Sequence, residues 1–202
     1  MLNTLKNRPA HVIDEPGIVR FLFTDRRASI LWLVVRIWLG KQWIDAASHK
    51  IGEAGWTGNG EALRSYWERA VAIPESGRPA ISFDWYRDFI QFMLDNEAYT
   101  WFAKVVAYGE LLIGVALILG AFVGVAAFFG GLMNWNFMMA GSASTNPLLF
   151  LAAVGLILAW KVAGYIGLDY FLLPALGTPW NRKVVEDQEA RQATPVPAPS
   201  GD

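Results

Sequence analysis

The sequence predicts an all-α, polytopic membrane protein, namely a four-helix transmembrane bundle with an extracytoplasmic helical insertion between its first and second spans. Charged residues make up 17% of the 202-residue chain, against about 25% in typical soluble domains. The chain carries ten tryptophans and twelve phenylalanines, and amphipathic aromatic rings such as those of Trp and Tyr collect at membrane–water interfaces. Four apolar stretches are too long and too apolar for surface helices, since ~20 residues cross a bilayer core.

The first apolar stretch follows a polar segment. Residues 1–28 are mixed in charge, and we expect them to lie in the cytoplasm. Residues 29–47 are mostly apolar and long enough for the first span, although Arg36 and Lys41 interrupt them.

Residues 48–98 differ from the rest, because eight acidic and five basic side chains occur among several Gly and Pro residues. We expect two helices in this insertion, one over 60–72 capped by Asn59 and a second capped by Ser82. The second helix carries an aromatic stripe at spacings of four and three residues, which either packs within the insertion or lies on the membrane. The stripe consists of Trp85, Phe89 and Phe92.

The remaining three spans are predicted at 99–119, 123–140 and 147–165. Turns at 120–122 and 141–146 separate them, and Pro147 suits the first turn of the last helix because its missing N–H costs nothing there. Residues 181–202 are polar and contain several prolines, and we expect them to be a disordered cytoplasmic tail.

Basic residues near the span ends predict the orientation. Residues 1–28 are rich in Lys and Arg, and Arg182 and Lys183 follow the last span, whereas 141–146 has no basic residue. By the positive-inside rule, both termini are cytoplasmic, and the insertion and the 141–146 loop face outward.

Composition also excludes several classes of function. A net charge of −1 argues against a generally basic nucleic-acid-binding protein. The absence of Cys excludes disulfides, thiolate catalysis and Cys-ligated metals. With two histidines in the whole chain, no metal, haem or flavin site is evident.

Polar side chains at membrane depth are the first candidates for a functional site, because a charge at the bilayer centre costs at least ~2.5–3.5 kcal/mol. At 1.5 Å per residue, Glu110 and Asn134 lie about 15 Å deep, Arg36 about 10 Å and Lys41 about 18 Å from the inner face. We expect Glu110 to pair with Arg36, with Lys41 as the alternative partner. Such a pair either holds the bundle together or handles protons.

The first span also carries a stripe of functional candidates. Arg36, Gly40, Trp43, Ala47 and Lys50 recur at spacings of four and three residues, and they stay within about 40° of Arg36 on a helix. The stripe is cationic at its ends and has an indole between them, so it is suited to an anion or a flat ring. Alternatively, Gly40 and Ala47 allow close helix packing and Lys50 reaches to the interface.

Four motifs, in order along the chain, resemble those of the DoxX family of four-helix bacterial membrane proteins, and the resemblance covers 29–180. The motifs are Arg36-x3-Gly40-x2-Trp43, residues 109–114 followed by Leu119-Gly120, residues 136–144 followed by Asn146-Pro147, and residues 164–169 followed by 172–174.

The long outward segment is similar to that of the DoxD branch, the large membrane subunit of thiosulfate:quinone oxidoreductase. This resemblance implies a bacterial inner-membrane enzyme that oxidises thiosulfate to tetrathionate, reduces quinone as a substrate and works with a partner subunit, DoxA. Glu110 and Arg36 are then the candidate catalytic residues. Quinone is expected near Trp43, Asn134 and Glu110, and thiosulfate near Lys50, Ser142, Ser144 and Asn146.

Two other functions remain open. The chain could instead be a non-catalytic accessory or structural subunit of a larger respiratory or photosynthetic membrane complex. Trp56, Trp67 and Trp85 of the insertion would then anchor protein partners, because aromatic residues dominate interfaces. A transporter or lipid-binding bundle ranks last, since inverted repeats and broken helices are not apparent.

Overall fold

The computed structural model describes residues 15–177. The predictions for 1–14 and 178–202, including Arg182, Lys183 and the polar tail, lie outside the described residues. Within 15–177 the regular structure is entirely helical, which confirms the all-α prediction. A 3₁₀ turn at Arg26–Ala28 and a π-helical turn at Ala54–Gly58 accompany the helices. The helices are α1 Gly17–Thr24, α2 Ser29–Ser48, α3 Glu61–Val71, α4 Asp84–Asp95, α5 Tyr99–Leu119, α6 Val123–Met139, α7 Asn146–Leu158, α8 Trp160–Ala163 and α9 Asp169–Ala175.

Helices α2, α5, α6 and α7 form a four-helix bundle in which α2 packs on α5, α5 on α6, α6 on α7 and α7 on α2. The contact between α2 and α5 is close because both helices present glycine. A Cβ atom on Gly40 would lie 3.0 Å from the carbonyl oxygen of Gly114, and one on Gly114 would lie 2.9 Å from the carbonyl oxygen of Gly40. The two backbones therefore touch, as in other interfaces built on small residues.

Among residues 15–177, α5 is the one helix that is long and apolar enough to cross a membrane by length and composition alone. Helices α6 and α7 are apolar but shorter. The expected helix over 147–165 is interrupted, because α7 ends at Leu158 and α8 resumes at Trp160.

The N-terminal part of the described chain contains a helix that the sequence does not predict. Helix α1 packs beside the bundle, where the indole N–H of Trp32 donates a hydrogen bond of 2.6 Å to the carbonyl oxygen of Leu22. The rings of Phe23 and Trp32 stack at 5.8 Å. Residues 17–24 are therefore part of the folded structure and contact the first helix of the bundle.

The insertion folds over one end of the bundle, which we call the insertion end, where α2 ends and α5 begins. The Asn59 prediction is close, since its Oδ1 accepts from the Glu61 N–H at 3.2 Å. The Ser82 prediction is wrong, because Phe83 precedes α4 and no side chain caps that helix. A small core joins α3 and α4 to the bundle through Leu63, Trp67, Tyr86, Ile90, Tyr99 and Ala140.

Tyr86 ties α4 to the last turn of α6. Its hydroxyl donates to the carbonyl oxygen of Asn136 at 3.1 Å. Burial raises the pKa of Tyr86 to about 12, so the hydroxyl stays protonated and keeps this donor.

The opposite end of the bundle, which we call the arginine end, is closed by a buried polar cluster. Arg36 donates from Nη1 to the carbonyl oxygen of Ala163 at 3.1 Å and from Nη2 to that of Ile166 at 2.7 Å. The Asp169 carboxylate accepts from the backbone N–H groups of Phe122 at 2.6 Å and Val123 at 2.9 Å. Asp169 thus caps α6 from another helix and lends negative charge to the neighbourhood of Arg36.

Replacement of this cap tests its role. Asp169→Ala leaves two backbone N–H groups without an acceptor, and we expect the free energy of unfolding to fall by about 2–4 kcal/mol. Unfolding in mild detergent, followed by circular dichroism, measures the loss. Asp88→Ala, at an exposed position of α4, should leave the stability essentially unchanged. Equal losses in both variants would contradict the capping role.

Candidate functional site

A cavity of about 630 Å³ lies at the insertion end, between the bundle and the insertion. Helices α2, α5, α6 and α7 supply its floor and walls, and α3 with the π-helical turn supplies its roof. Its lining mixes aromatic, amide, hydroxyl and charged side chains. Such a concave site with a few convergent polar groups is typical of small-molecule binding.

Seven of the eight predicted site residues line this cavity, and Arg36 does not. The seven are Trp43, Lys50, Glu110, Asn134, Ser142, Ser144 and Asn146. They come from α2 and the turn after it, from α5 and α6, and from the loop before α7 and its first residue, so segments far apart in the sequence meet at one place.

The charged centre of the cavity is an ion pair between Lys50 and Glu110. The Lys50 ammonium lies 2.7 Å from Glu110 Oε2. The Glu110 side chain is 1% exposed and that of Lys50 is 18% exposed. Lys50 also donates to the carbonyl oxygen of Ala46 at 3.2 Å and lies over the Trp56 ring at 5.2 Å. The cation is thus held by an acid, a carbonyl and an aromatic face.

The predicted pairing of Glu110 with Arg36 is wrong, and so is the alternative with Lys41. Arg36 lies level with Gly120, where a Cβ atom would clash with its guanidinium. Glu110 precedes Gly120 by ten residues, which is about 15 Å along α5. Lys41 instead pairs with Asp45 on the exposed side of α2. Helix spacing shows which residues share a face, but it does not fix the level at which two helices meet.

Amide side chains form a relay along one wall of the cavity. Asn146 donates from Nδ2 to the carbonyl oxygen of Ser142 at 2.8 Å, and Asn134 donates from Nδ2 to Asn146 Oδ1 at 2.9 Å. A backbone carbonyl only accepts, so Asn146 must turn its NH₂ toward Ser142. Asn146 then offers its oxygen to Asn134, and Asn134 must keep its own oxygen free. The chain of hydrogen bonds therefore fixes the orientation of both amides.

Two buried polar atoms of the cavity residues have no hydrogen-bond partner. One is the acceptor Asn134 Oδ1 and the other is the donor Trp43 Nε1. Both side chains line the cavity, and the Trp43 indole nitrogen lies against Gly130 of α6, one turn from Asn134. An unsatisfied buried polar atom costs about 1–3 kcal/mol, so a ligand or water that paired with these atoms would recover that cost.

The roof contributes polar residues that the sequence does not single out as site residues. Tyr66 and Arg69 of α3 line the cavity, together with His49 after α2. Burial raises the pKa of Tyr66, so its hydroxyl remains a donor. The signal that could have found the α3 residues is the spacing of Ala62, Tyr66 and Arg69, which puts all three on one face of a helix.

Within residues 15–177, no group of three or more His, Asp or Glu side chains is placed to hold a metal ion.

No protein-family model matches the chain, and no significant match is found among curated proteins or among solved structures. The resemblance to the DoxX family is therefore carried by the sequence motifs alone.

A double-mutant cycle tests the ion pair of the cavity. Lys50→Met leaves Glu110 buried without its cation, and we expect the free energy of unfolding to fall by about 3–5 kcal/mol. Lys50→Met with Glu110→Gln should cost less than the sum of the single changes. Thermal unfolding in detergent provides the comparison.

Two controls accompany the cycle. Lys41→Met removes the exposed pair with Asp45 and should change the stability little. Arg36→Met with Glu110→Gln should be additive, because these side chains lie at different levels. Additive effects of the Lys50 and Glu110 changes would show that the pair has no energetic coupling.

Proposed function

We propose that the chain is a four-span DoxX-like protein of the bacterial inner membrane and works as a quinone-linked oxidoreductase subunit of the DoxD type. Its substrate is thiosulfate or a related sulfur anion. The observation that carries this proposal is the cavity, in which basic and hydroxyl groups near the roof adjoin a buried acid deeper in the bundle. The residues of both expected subsites line that one cavity.

The outer surface of the bundle supports the membrane assignment. Large apolar side chains on α2, α5, α6 and α7 are exposed, and soluble monomers rarely expose apolar patches larger than a few hundred Å². Examples are Val34, Leu112, Phe128 and Leu151. Such an apolar surface is suited to contact with lipid tails.

The proposed topology has the terminal segments in the cytoplasm and the insertion outside, and cysteine labelling tests it. The chain has no Cys of its own, so Glu75→Cys and Arg20→Cys each introduce a single thiol. On intact spheroplasts, an impermeant thiol reagent should label position 75 in the insertion and leave position 20 unlabelled. After the membrane is opened, both positions should react. Labelling of position 20 but not position 75 on intact spheroplasts would show the opposite topology and contradict the proposal.

The cavity suggests separate roles for its two halves. Arg69, Lys50 and the hydroxyls of Ser142 and Ser144 suit a small sulfur anion that enters from outside. Deeper in the site, the unpaired indole N–H of Trp43 can donate to a quinone carbonyl oxygen, and the unpaired Asn134 Oδ1 can accept from a hydroxyl of the quinol product. Glu110 contacts Lys50 of the first group at 2.7 Å, and its carboxyl group can serve in proton exchange.

The overall reaction balances with the two substrates alone. Two thiosulfate ions lose one electron each and join through a new S–S bond to form tetrathionate. One quinone accepts both electrons and takes up two protons to form quinol. Glu110 is the group of the cavity that we assign to proton delivery, so its carboxyl must exchange protons with the outer water.

Steady-state kinetics test the assignment. Membranes that contain the chain and its co-purifying partners should reduce a short-chain quinone when thiosulfate is added, and membranes without the chain should not. Arg69→Ala should raise the KM for thiosulfate several-fold because it removes a cation at the roof, while Glu110→Gln should lower kcat at least tenfold.

Arg78→Ala is the matched control, because Arg78 is an exposed cation of the insertion outside the cavity lining. It should leave both constants unchanged. If the complete complex shows no thiosulfate-dependent reduction, the enzymatic proposal fails, and the accessory-subunit interpretation replaces it.

A further inference from the structure

Helix α4 has three distinct faces. At about 100° per residue, Tyr86 and Ile90 share the face that is buried against the rest of the protein. Trp85, Phe89 and Phe92 lie within about 60° of one another on a second face. Their exposed fractions are 58%, 46% and 61%. The stripe therefore does not pack within the insertion.

The third face of α4 is acidic. Asp84, Asp88 and Asp95 lie within about 40° of one another, roughly opposite the buried face, and all three are exposed. A helix that is packed on one side, aromatic on a second and acidic on a third matches a position at the edge between protein, lipid and water. Helices that lie in a membrane interface have this segregation of apolar and charged residues.

Ring contacts through the buried Tyr86 connect the aromatic stripe to the outer surface of α6. The rings of Tyr86 and Trp135 lie 6.3 Å apart, and those of Tyr86 and Phe89 lie 6.1 Å apart. Trp135 is itself partly exposed, and it belongs to an exposed apolar stripe of α6 with Phe128 and Leu132. If α6 faces lipid, the same lipid surface extends to α4. Tryptophan at this level is typical of the membrane–water boundary.

We propose that α4 is an interfacial anchor: its stripe of Trp85, Phe89 and Phe92 inserts into the outer leaflet of the membrane that the bundle spans. This inference rests on the four-span arrangement proposed above. The occupant of the stripe is lipid and not a protein partner, because ring contacts through Tyr86 place the stripe beside the exposed apolar surface of α6. The anchor holds the roof of the cavity at the membrane surface.

The charges of α4 predict which lipids it needs. Its basic residue, Arg87, is engaged by Asp84 at 2.7 Å and by the carbonyl oxygen of Ile81 at 2.8 Å, so no free cation on α4 attracts anionic headgroups. The acidic face is centred about 90° from the stripe, on the side away from the buried face. Insertion is therefore driven by apolar contact, and it should not depend on anionic lipid or on salt.

Site-directed spin labelling tests the anchor. Phe92→Cys and Gln91→Cys provide neighbouring labels on the aromatic and acidic faces, Phe89→Cys repeats the first position, and Leu112→Cys on α5 reports a lipid-facing position of the span. The full chain is reconstituted into vesicles of phosphatidylcholine alone. Collision with oxygen, which dissolves in lipid, is compared with collision with a water-soluble nickel chelate.

We expect labels at 92 and 89 to favour oxygen over the nickel chelate at least severalfold, as at 112, and the label at 91 to favour the nickel chelate. Addition of anionic lipid or salt should leave this contrast unchanged.

If the label at 112 favours oxygen but the labels at 92 and 89 favour the nickel chelate, the anchor is overturned while the membrane bundle stands. Shielding of 92 and 89 from both reagents would mean that protein covers the stripe, which also overturns the inference. If 112 favours the nickel chelate, the four-span proposal fails, and the anchor fails with it.

Discussion

The contact between Gly40 and Gly114 determines the level at which α2 and α5 meet, and the rest of the site depends on that level. Each glycine leaves the carbonyl oxygen of the other no more than 3.0 Å from the position of a Cβ atom. The helices cannot slide past each other without a clash at this point. With the level fixed, Lys50 reaches Glu110 at one end of α2, and Arg36 lies beside Gly120 at the other. One close backbone contact thus decides which charges meet.

The two cations Arg36, within α2, and Lys50, just after it, are compensated in different ways. Arg36 is held by two backbone carbonyl oxygens, with Asp169 nearby, in a cluster that fastens α2 to the chain around α8 and to the start of α6. Lys50 meets a single carboxylate in a cavity wall. Backbone carbonyls do not exchange protons, whereas a carboxyl group does. The arginine end is therefore suited to hold the fold, and the insertion end contains the proton-exchanging group on which the proposed function depends.

The helical character of the bundle could be predicted from apolar length, and the shared face of Trp43 and Lys50 from helical spacing. The partner of Glu110 could not be predicted, because the relative level of two helices depends on how closely their backbones approach. The role of Asp169 was also beyond the sequence, since the N–H groups that it caps lie more than forty residues earlier. The break at Ala159 was missed because an apolar run carries no signal for where a helix is interrupted.

Through the hydrogen bonds from Ser142 to Asn146 and on to Asn134, the loop before α7 determines which atoms the buried cavity wall presents as donors and acceptors. The direction of one peptide carbonyl in that loop decides whether the interior offers an oxygen or an amino group, although the loop itself lies near the surface. Gly141 and Ser144 have positive φ angles of 86° and 38°, and Gly141 packs so closely on Ala80 that a Cβ atom would lie 2.8 Å from the alanine methyl group. The insertion thereby braces the loop. The hydrogen-bonding pattern of the cavity wall thus depends on the conformation of a surface turn. A protein that kept this architecture but bound a different ligand would have to change the turn and the wall together.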